Sequence, residues 1–351
     1  MDSYLVFSFR GQDVISVPAD SVELTRAGIE LYVPSSWRRA LYKAAMRLAH
    51  WVRAEGALAT RSSTPVRSHP EFDFALWLGQ VREAIAVGDA RAVVRFPSQP
   101  HRGRFYVYLV SKRGEPLAFV KVSLDAENDR RLATEAEAIR EMMQQPPRTF
   151  RVPRLLDVGS FESHLYLITE AIPCEARAAR SRWAPIPQRC KNEIAERSSR
   201  IRVVKDLSWW DKFVKESQGV RSLAAEVARE SDRQIQVCRA HGDFKNTNII
   251  VAGDQVWIVD WEDSSPDAPV GCDEISFFLG SRVRAITSNP RAVAAALGRR
   301  LSVEWDGRDA ALAMAFLCTT GNEAHMLCAQ HWDNVIQGAP GKCQPATGNG
   351  L

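Results

Sequence analysis

His241-Gly242-Asp243-Phe244-Lys245-Asn246-Thr247-Asn248-Ile249-Ile250, with Val256-Trp257-Ile258-Val259-Asp260-Trp261-Glu262 shortly after, is the most informative stretch of the chain. The first segment is a polar loop running into an apolar strand. The second is an apolar strand ending on an acidic residue, and Gly253-Asp254 turns the chain between them. Phosphoryl transfer requires a carboxylate that accepts or orients the proton of the attacking hydroxyl. It also requires hard oxygen ligands for the metal ions that bridge the phosphates. An Asp followed five positions later by an Asn presents both side chains into one cleft. A second Asp, one short hairpin away, adds another metal carboxylate. Asp243 fits the catalytic role, and Asn248 and Asp260 fit the metal-ligand roles.

Upstream, Ala92–Phe96, Phe105–Ser111 and Leu117–Val122 are three short β-rich runs, the last two joined by a Lys112-Arg113-Gly114-Glu115 turn. The spacing predicts a helix from about Asn128 to Met143, with Leu132, Ala136, Ile139 and Met143 on one face and Pro146-Pro147 ending it. Leu155–Val158 and Leu165–Thr169 add two strands. The order β-β-β-α-β-β describes a small antiparallel sheet with one helix. Beyond Ala171 the pattern turns helical, with helices expected over Pro185–Ser199, Trp209–Ser217, Ser222–Arg239, Glu274–Ile286, Pro290–Leu301 and Ala310–Ala329.

His241-x-Asp243 with Asn248, then an apolar strand into Asp260-Trp261-Glu262, resembles the aminoglycoside phosphotransferase and choline kinase group of kinase-like folds. The resemblance covers roughly Ala90 to Trp332. It implies an α+β, bilobal protein-kinase-like fold: a small antiparallel β-sheet lobe with one helix, then a larger helical lobe. The N-terminal α/β extension is additional to it.

The resemblance also assigns roles. Lys121, inside the apolar run of the third strand, stands where such a fold carries the lysine that contacts the α- and β-phosphates. Glu135 matches the helix glutamate that holds this lysine, and Glu137 points about 200° away. The phosphate-covering segment Pro97–Arg104 is poor in glycine. Gly103 is available there, with Ser98 or the basic pair Arg102 and Arg104 to take over the phosphate contact. Backbone groups of Glu170 and Ile172 would meet the adenine edge. Lys245, two residues after Asp243, either offsets charge on the transferred phosphoryl group or is a solvated loop lysine. Asp273 is expected to brace the loop, and His241 to orient it.

At 351 residues the chain has room for about two domains. With 45% hydrophobic and 25% charged residues, it is not a disordered chain, a collagen or a coiled-coil rod. Seven cysteines at irregular spacing, with no C-x-x-C, argue against a disulfide framework or zinc site and for a reducing, cytoplasmic setting. No run approaches the roughly 18 apolar residues of a membrane span, and no secretory signal is expected. A net charge of +4 neither demands nor excludes a nucleic-acid partner, and the lack of a recognised module argues against one.

Four segments are expected: 1–89, an N-terminal extension of unknown role; 90–171, the small lobe; 172–337, the large lobe; and 338–351, a mobile tail. The extension opens with strands at Tyr4–Phe9 and Asp13–Val17. Trp37, Leu41, Ala44, Leu48, Trp51 and Val52 then recur at helical spacing, with Arg38, Arg39, Lys43, Arg47 and Arg53 on the other face. Such a helix packs its apolar face inward, or it makes a peripheral membrane or dimer contact.

The activity implied is ATP-dependent phosphotransfer with ATP and Mg2+ as cofactors. The γ-phosphoryl group passes to a hydroxyl of a small molecule. Acidic residues near the C-terminus are scattered, which disfavours a polycationic antibiotic and favours a sugar-like acceptor. The alternative is a catalytically weak or inactive kinase-like nucleotide-binding scaffold. The glycine-poor loop favours that alternative, and the intact Lys121, Asp243, Asn248 and Asp260 set opposes it.

Overall fold

A computed structural model describes residues 3–34, 36–67, 69, 71–97, 103–172, 177–178, 188–304 and 306–338. It is a mixed α and β structure divided into two compact units. One comprises residues 1–144 and 153–175, and the other 145–152 and 176–351.

The first unit is built on an eight-stranded antiparallel sheet. Its strands are β1 (Tyr4–Phe9), β2 (Gln12–Pro18), β3 (Ala59–Ser62), β4 (Arg91–Arg95), β5 (Arg104–Val110), β6 (Pro116–Ser123), β7 (Leu155–Phe161) and β8 (His164–Glu170). The order across the sheet is β3-β1-β2-β4-β5-β6-β8-β7. Arg10 and Gly11, both at positive φ, make the two-residue turn between β1 and β2.

Residues 3–89 share this sheet with β4–β8, because β2 pairs with β4 at Ile15↔Arg95 and Ser16↔Val94. They also supply α1 (Val22–Leu31), α2 (Trp37–Trp51) and α3 (Phe74–Ala84). On one face, Phe74, Trp77, Leu78 and Val81 of α3 pack on Ala92, Val94, Val107, Leu109, Val120 and Ile168. On the other, Val93 joins Ile15, Val17, Leu24 and Ile29 near α1. Farther along, α4 (Ala126–Gln144) sets Leu132 and Ala136 against Leu167. Strand alternation therefore puts Lys121, between buried Val120 and Val122 and opposite Leu167, on the face that α4 covers.

The apolar stripe expected to dock α2 instead faces outward. Met46 and Ala49 are its buried residues, while Trp37, Leu41, Leu48 and Trp51 are exposed.

The second unit is mostly helical, with two small sheets. Its strands are β9 (Arg177–Ala178), β10 (Arg200–Val203), β11 (Gln234–Ala240), β12 (Ile249–Ala252), β13 (Gln255–Ile258) and β14 (Ser265–Pro269), ordered β10-β11-β14 and β13-β12-β9. Its helices are α5 (Gln188–Glu196), α6 (Trp210–Glu216), α7 (Arg221–Ala228), α8 (Cys272–Gly280), α9 (Val283–Ser288), α10 (Pro290–Glu304), α11 (Gly307–Thr319), α12 (Glu323–Ala329) and α13 (Trp332–Gly338).

The single helix expected over Ser222–Arg239 is corrected. α7 ends at Ala228, and Gln234–Ala240 is a strand whose Ile235 and Val237 point inward while Gln234 and Gln236 are exposed. That alternation has period two, and pairing on both sides by β10 and β14 overrides local helix propensity. The helix expected over Ala310–Ala329 is likewise two, broken where Gly321 takes φ +74°. Every residue from Ala310 to Thr319 of α11 is buried, so this helix is packed all round.

A chain shortened to begin at Ala90 strips β2 from the edge of β4 and α3 from the sheet face. It is expected to aggregate on expression. In the full chain, Trp77→Ala should fold but lose about 3–5 kcal/mol, read from urea melts.

Candidate active site

The polar loop leaves β11 at His241. Gly242 has φ +82°, and a Cβ there would lie 2.0 Å from the Asp263 carbonyl oxygen, so only glycine fits. Asp273, in the first turn of α8, accepts the backbone N–H groups of His241 (2.9 Å) and Gly242 (3.1 Å). The His241 ring uses both nitrogens on backbone: Nε2 meets the Val259 carbonyl at 2.9 Å, and Nδ1 accepts the Asp243 N–H at 3.3 Å. Neither is left for proton transfer. Buried Phe244 and Trp261 flank the ring.

Asp243 is buried and held by three side-chain donors. Asn322 Nδ2 donates to Oδ1 at 2.9 Å, Asn248 Nδ2 donates to Oδ2 at 3.1 Å, and Lys245 Nζ also donates to Oδ2. A carboxylate offers about four lone-pair positions, so among the described residues these three donors leave one for a further donor. Asn322, 79 residues away in sequence, is the functional candidate that sequence reasoning missed. Its local signal is only that of an N-cap: its Oδ1 accepts the Ala324 N–H at the start of α12.

The β12–β13 hairpin brings Asn248 and Asp260 to one end. Ile249 pairs with Ile258, and the Val259 N–H donates to the Asn248 carbonyl at 3.0 Å. Asp260 follows in the left-handed region, φ +70°, a conformation that Asp tolerates better than most residues. Carboxylate oxygens of Asp260 and Glu262 lie within 4.8 Å of each other. Asn248 turns its amide nitrogen to Asp243, also reaching the Asp243 carbonyl at 2.9 Å, while its Oδ1 accepts the Thr247 hydroxyl at 3.3 Å and has a second lone pair beyond that contact. The donor set is entirely hard oxygen, which suits Mg2+.

In the first unit, Lys121 Nζ and Glu135 Oε2 form a buried ion pair at 2.7 Å. Gly103 lies against the residue that caps α4: a Cβ there would sit 1.9 Å from Asp125 Oδ2, and Asp125 accepts the Asn128 N–H at 2.8 Å. Its missing side chain is thus accounted for by close packing. Buried Arg104 lies over the Tyr106 ring. Ser98 and Arg102 fall outside the described residues. At the end of β8, Glu170 engages Arg154 twice, donating its N–H to the carbonyl and accepting the Arg154 N–H on its carboxylate, both at 2.9 Å. Ile172 is half-buried just beyond.

Burial sets the electrostatics around the loop. It pushes His241 down from its ordinary range and His325, in α12, down to about 4. It pushes Asp273 up to about 7, against the pull of the two backbone N–H donors.

No protein-family model and no curated protein matches the chain. Solved structures of WbdD do. A crystal structure of WbdD shares 18% identity at TM-score 0.30, covering 64% of this chain and 45% of that one. A co-crystal of WbdD with the kinase inhibitor LY294002 gives 18% and 0.29, covering 65% and 46%. A structure described as the bifunctional kinase-methyltransferase WbdD gives 18% and 0.29, covering 62% and 43%. The match spans less than half the length of each WbdD chain.

The buried histidines predict acid lability. An unfolded chain protonates His325 near 6.5, whereas the folded chain resists to about 4. Folded stability is therefore complete above 6.5 and falls as the pH drops toward 4, by up to about 1.4 kcal/mol per pH unit for this group. His325→Gln should lose less Tm than the parent between those values, and equal slopes would assign the lability elsewhere.

Proposed function

We propose that the chain is an ATP-dependent phosphotransferase that moves the γ-phosphoryl group of Mg-ATP to a hydroxyl of a small, sugar-like molecule. The observation that carries this is the Asp243 carboxylate: buried, fixed by Lys245, Asn248 and Asn322, and left by the described residues with one acceptor position for a further donor. Mg-ATP supplies the phosphoryl group and the divalent charge that neutralises it. Asp243 orients the acceptor hydroxyl and takes its proton. Lys245 offsets negative charge beside it. Asn248 and Asp260, with Glu262 nearby, provide oxygen ligands for Mg2+. Lys121, held by Glu135, binds the α- and β-phosphates, and the backbone at Glu170 and Ile172 meets the purine.

The acceptor class draws support from where three of the late acidic residues are committed. Asp309 pairs with Arg233 at 2.9 Å, Asp306 caps α11, and Asp333 accepts the Ser222 hydroxyl at 2.9 Å. These carboxylates do not assemble into a surface for a polycation. Five described cysteines are buried free thiols, which supports a reducing, cytoplasmic setting. A weakly catalytic nucleotide-binding scaffold is the alternative, and it draws on Gly103, whose close approach is already used by Asp125.

ATP consumption against a panel of sugars, amino alcohols and aminoglycosides tests the assignment. A sugar-class hydroxyl should turn over, and Asp243→Ala should slow it by about 10²–10⁴-fold. Asn322→Ala should lower kcat by about tenfold at an unchanged KM for ATP, since it aims Asp243 without holding nucleotide. Calorimetry showing no Mg-ATP binding would end both the catalytic and the scaffold assignments, and binding without turnover of any panel member would favour the scaffold.

A further inference from the structure

α2 carries apolar side chains on two faces. The inner face seats Met46 and Ala49 in the unit, while the Tyr42 ring lies 5.2 Å from Phe9 and its hydroxyl donates to the Leu58 carbonyl at 3.2 Å. The outer face is open: Trp37 is 64% exposed, Leu41 62%, Leu48 60%, Trp51 80% and Val52 53%. At about 100° per residue these five fall within an arc of about 100°. Stabilising the fold does not require them there, since the helix is already anchored from its other side.

The charge around the stripe is one-sided. Residues 37–51 include Arg38, Arg39, Lys43 and Arg47 and no acidic residue, and exposed Arg53 follows. Arg38 and Arg47 flank the stripe on opposite edges, each about 40° beyond it. Lys43 is turned inward to the Glu30 and Tyr32 carbonyls, and Arg47 pairs with the Glu30 carboxylate. The guanidinium of Arg38 lies over the Trp37 ring at 5.3 Å, its cation at the border of the apolar strip. A tryptophan stands at each end of the helix. Apolar centre, cationic margins and terminal tryptophans together fit a plane that is greasy below and anionic above. A second copy of this chain fits less well. Self-pairing of the stripe would set the same arginine margins against each other. Among the described residues no helix is long and apolar enough to cross a membrane, so contact would be along the surface.

We infer that α2 docks the chain on an anionic lipid surface, with the Trp37–Trp51 stripe entering the boundary between headgroups and acyl chains and Arg38 and Arg53 meeting the lipid phosphates. The contact is independent of the phosphotransfer assignment. It uses only the first unit.

Sedimentation of the full chain with phosphatidylcholine vesicles, with and without phosphatidylglycerol, tests it. The chain should pellet with the phosphatidylglycerol vesicles at low salt and be released as salt rises. Leu41→Glu with Leu48→Glu should weaken binding at least about tenfold, and Arg38→Glu should weaken it only for the anionic vesicles. These side chains are exposed, so an unchanged Tm shows that the variants remain folded. Three results overturn the inference: no pelleting with anionic vesicles at low salt; equal pelleting by the double variant; or a dimer in analytical ultracentrifugation that the double variant dissolves, which assigns the stripe to a second copy.

Discussion

The loop that carries Asp243 is held by one buried carboxylate. Asp273 takes the N–H groups of His241 and Gly242, two donors that a tight left-handed turn would otherwise leave without partners. Burying a carboxylate is costly, and here the cost is offset by those two donors and by a place in the first turn of α8, where the helix end favours negative charge. The rest of the loop follows from this contact. With the backbone pinned, His241 reaches the Val259 carbonyl of the neighbouring hairpin, and Asp243 is delivered to Asn248 and Asn322. Gly242 is required by the same arrangement, because the turn passes too close to Asp263 for any side chain.

Much of this was legible in the sequence because it is local. Asp243, Asn248 and Asp260 lie within eighteen residues, and a hairpin between apolar strands is a short-range signal. Lys121 was legible as a cation inside a strand that otherwise alternates. Asn322 was not, since its neighbours announce only a helix cap and its contact with Asp243 depends on how α11 and α12 pack. β11 was lost for a related reason. Its period-two pattern is short and follows directly on a helical one, and its pairing partners β10 and β14 lie far off in sequence. The outward face of α2 shows the same limit from another side. Periodicity identified an apolar stripe, but a helix with apolar residues on two faces does not say which one turns inward.

The first unit illustrates how an extension can become structural. Left at its edge, β4 would present unpaired backbone to solvent, an invitation to association. β2 occupies part of that edge, and α3 places Trp77 among Phe72, Phe74, Phe105 and Tyr166 over the sheet. The aromatic cluster joins side chains from before and after Ala90, so a boundary drawn by resemblance cuts through a shared core.

α11 ties packing to chemistry in the second unit. Ala310, Ala311, Ala313 and Ala315 are at most 2% exposed, and their small side chains set how near the surrounding helices approach. The helix runs out at Thr319, and Asn322 stands three residues beyond, aimed at Asp243. An added methyl or two along this rod must be absorbed as a shift of the rod itself, and its end leads directly to the residue that holds the Asp243 carboxylate. The alanines therefore act as a gauge for the distance between Asn322 and Asp243, and drift at these positions reaches that hydrogen bond before it reaches the fold.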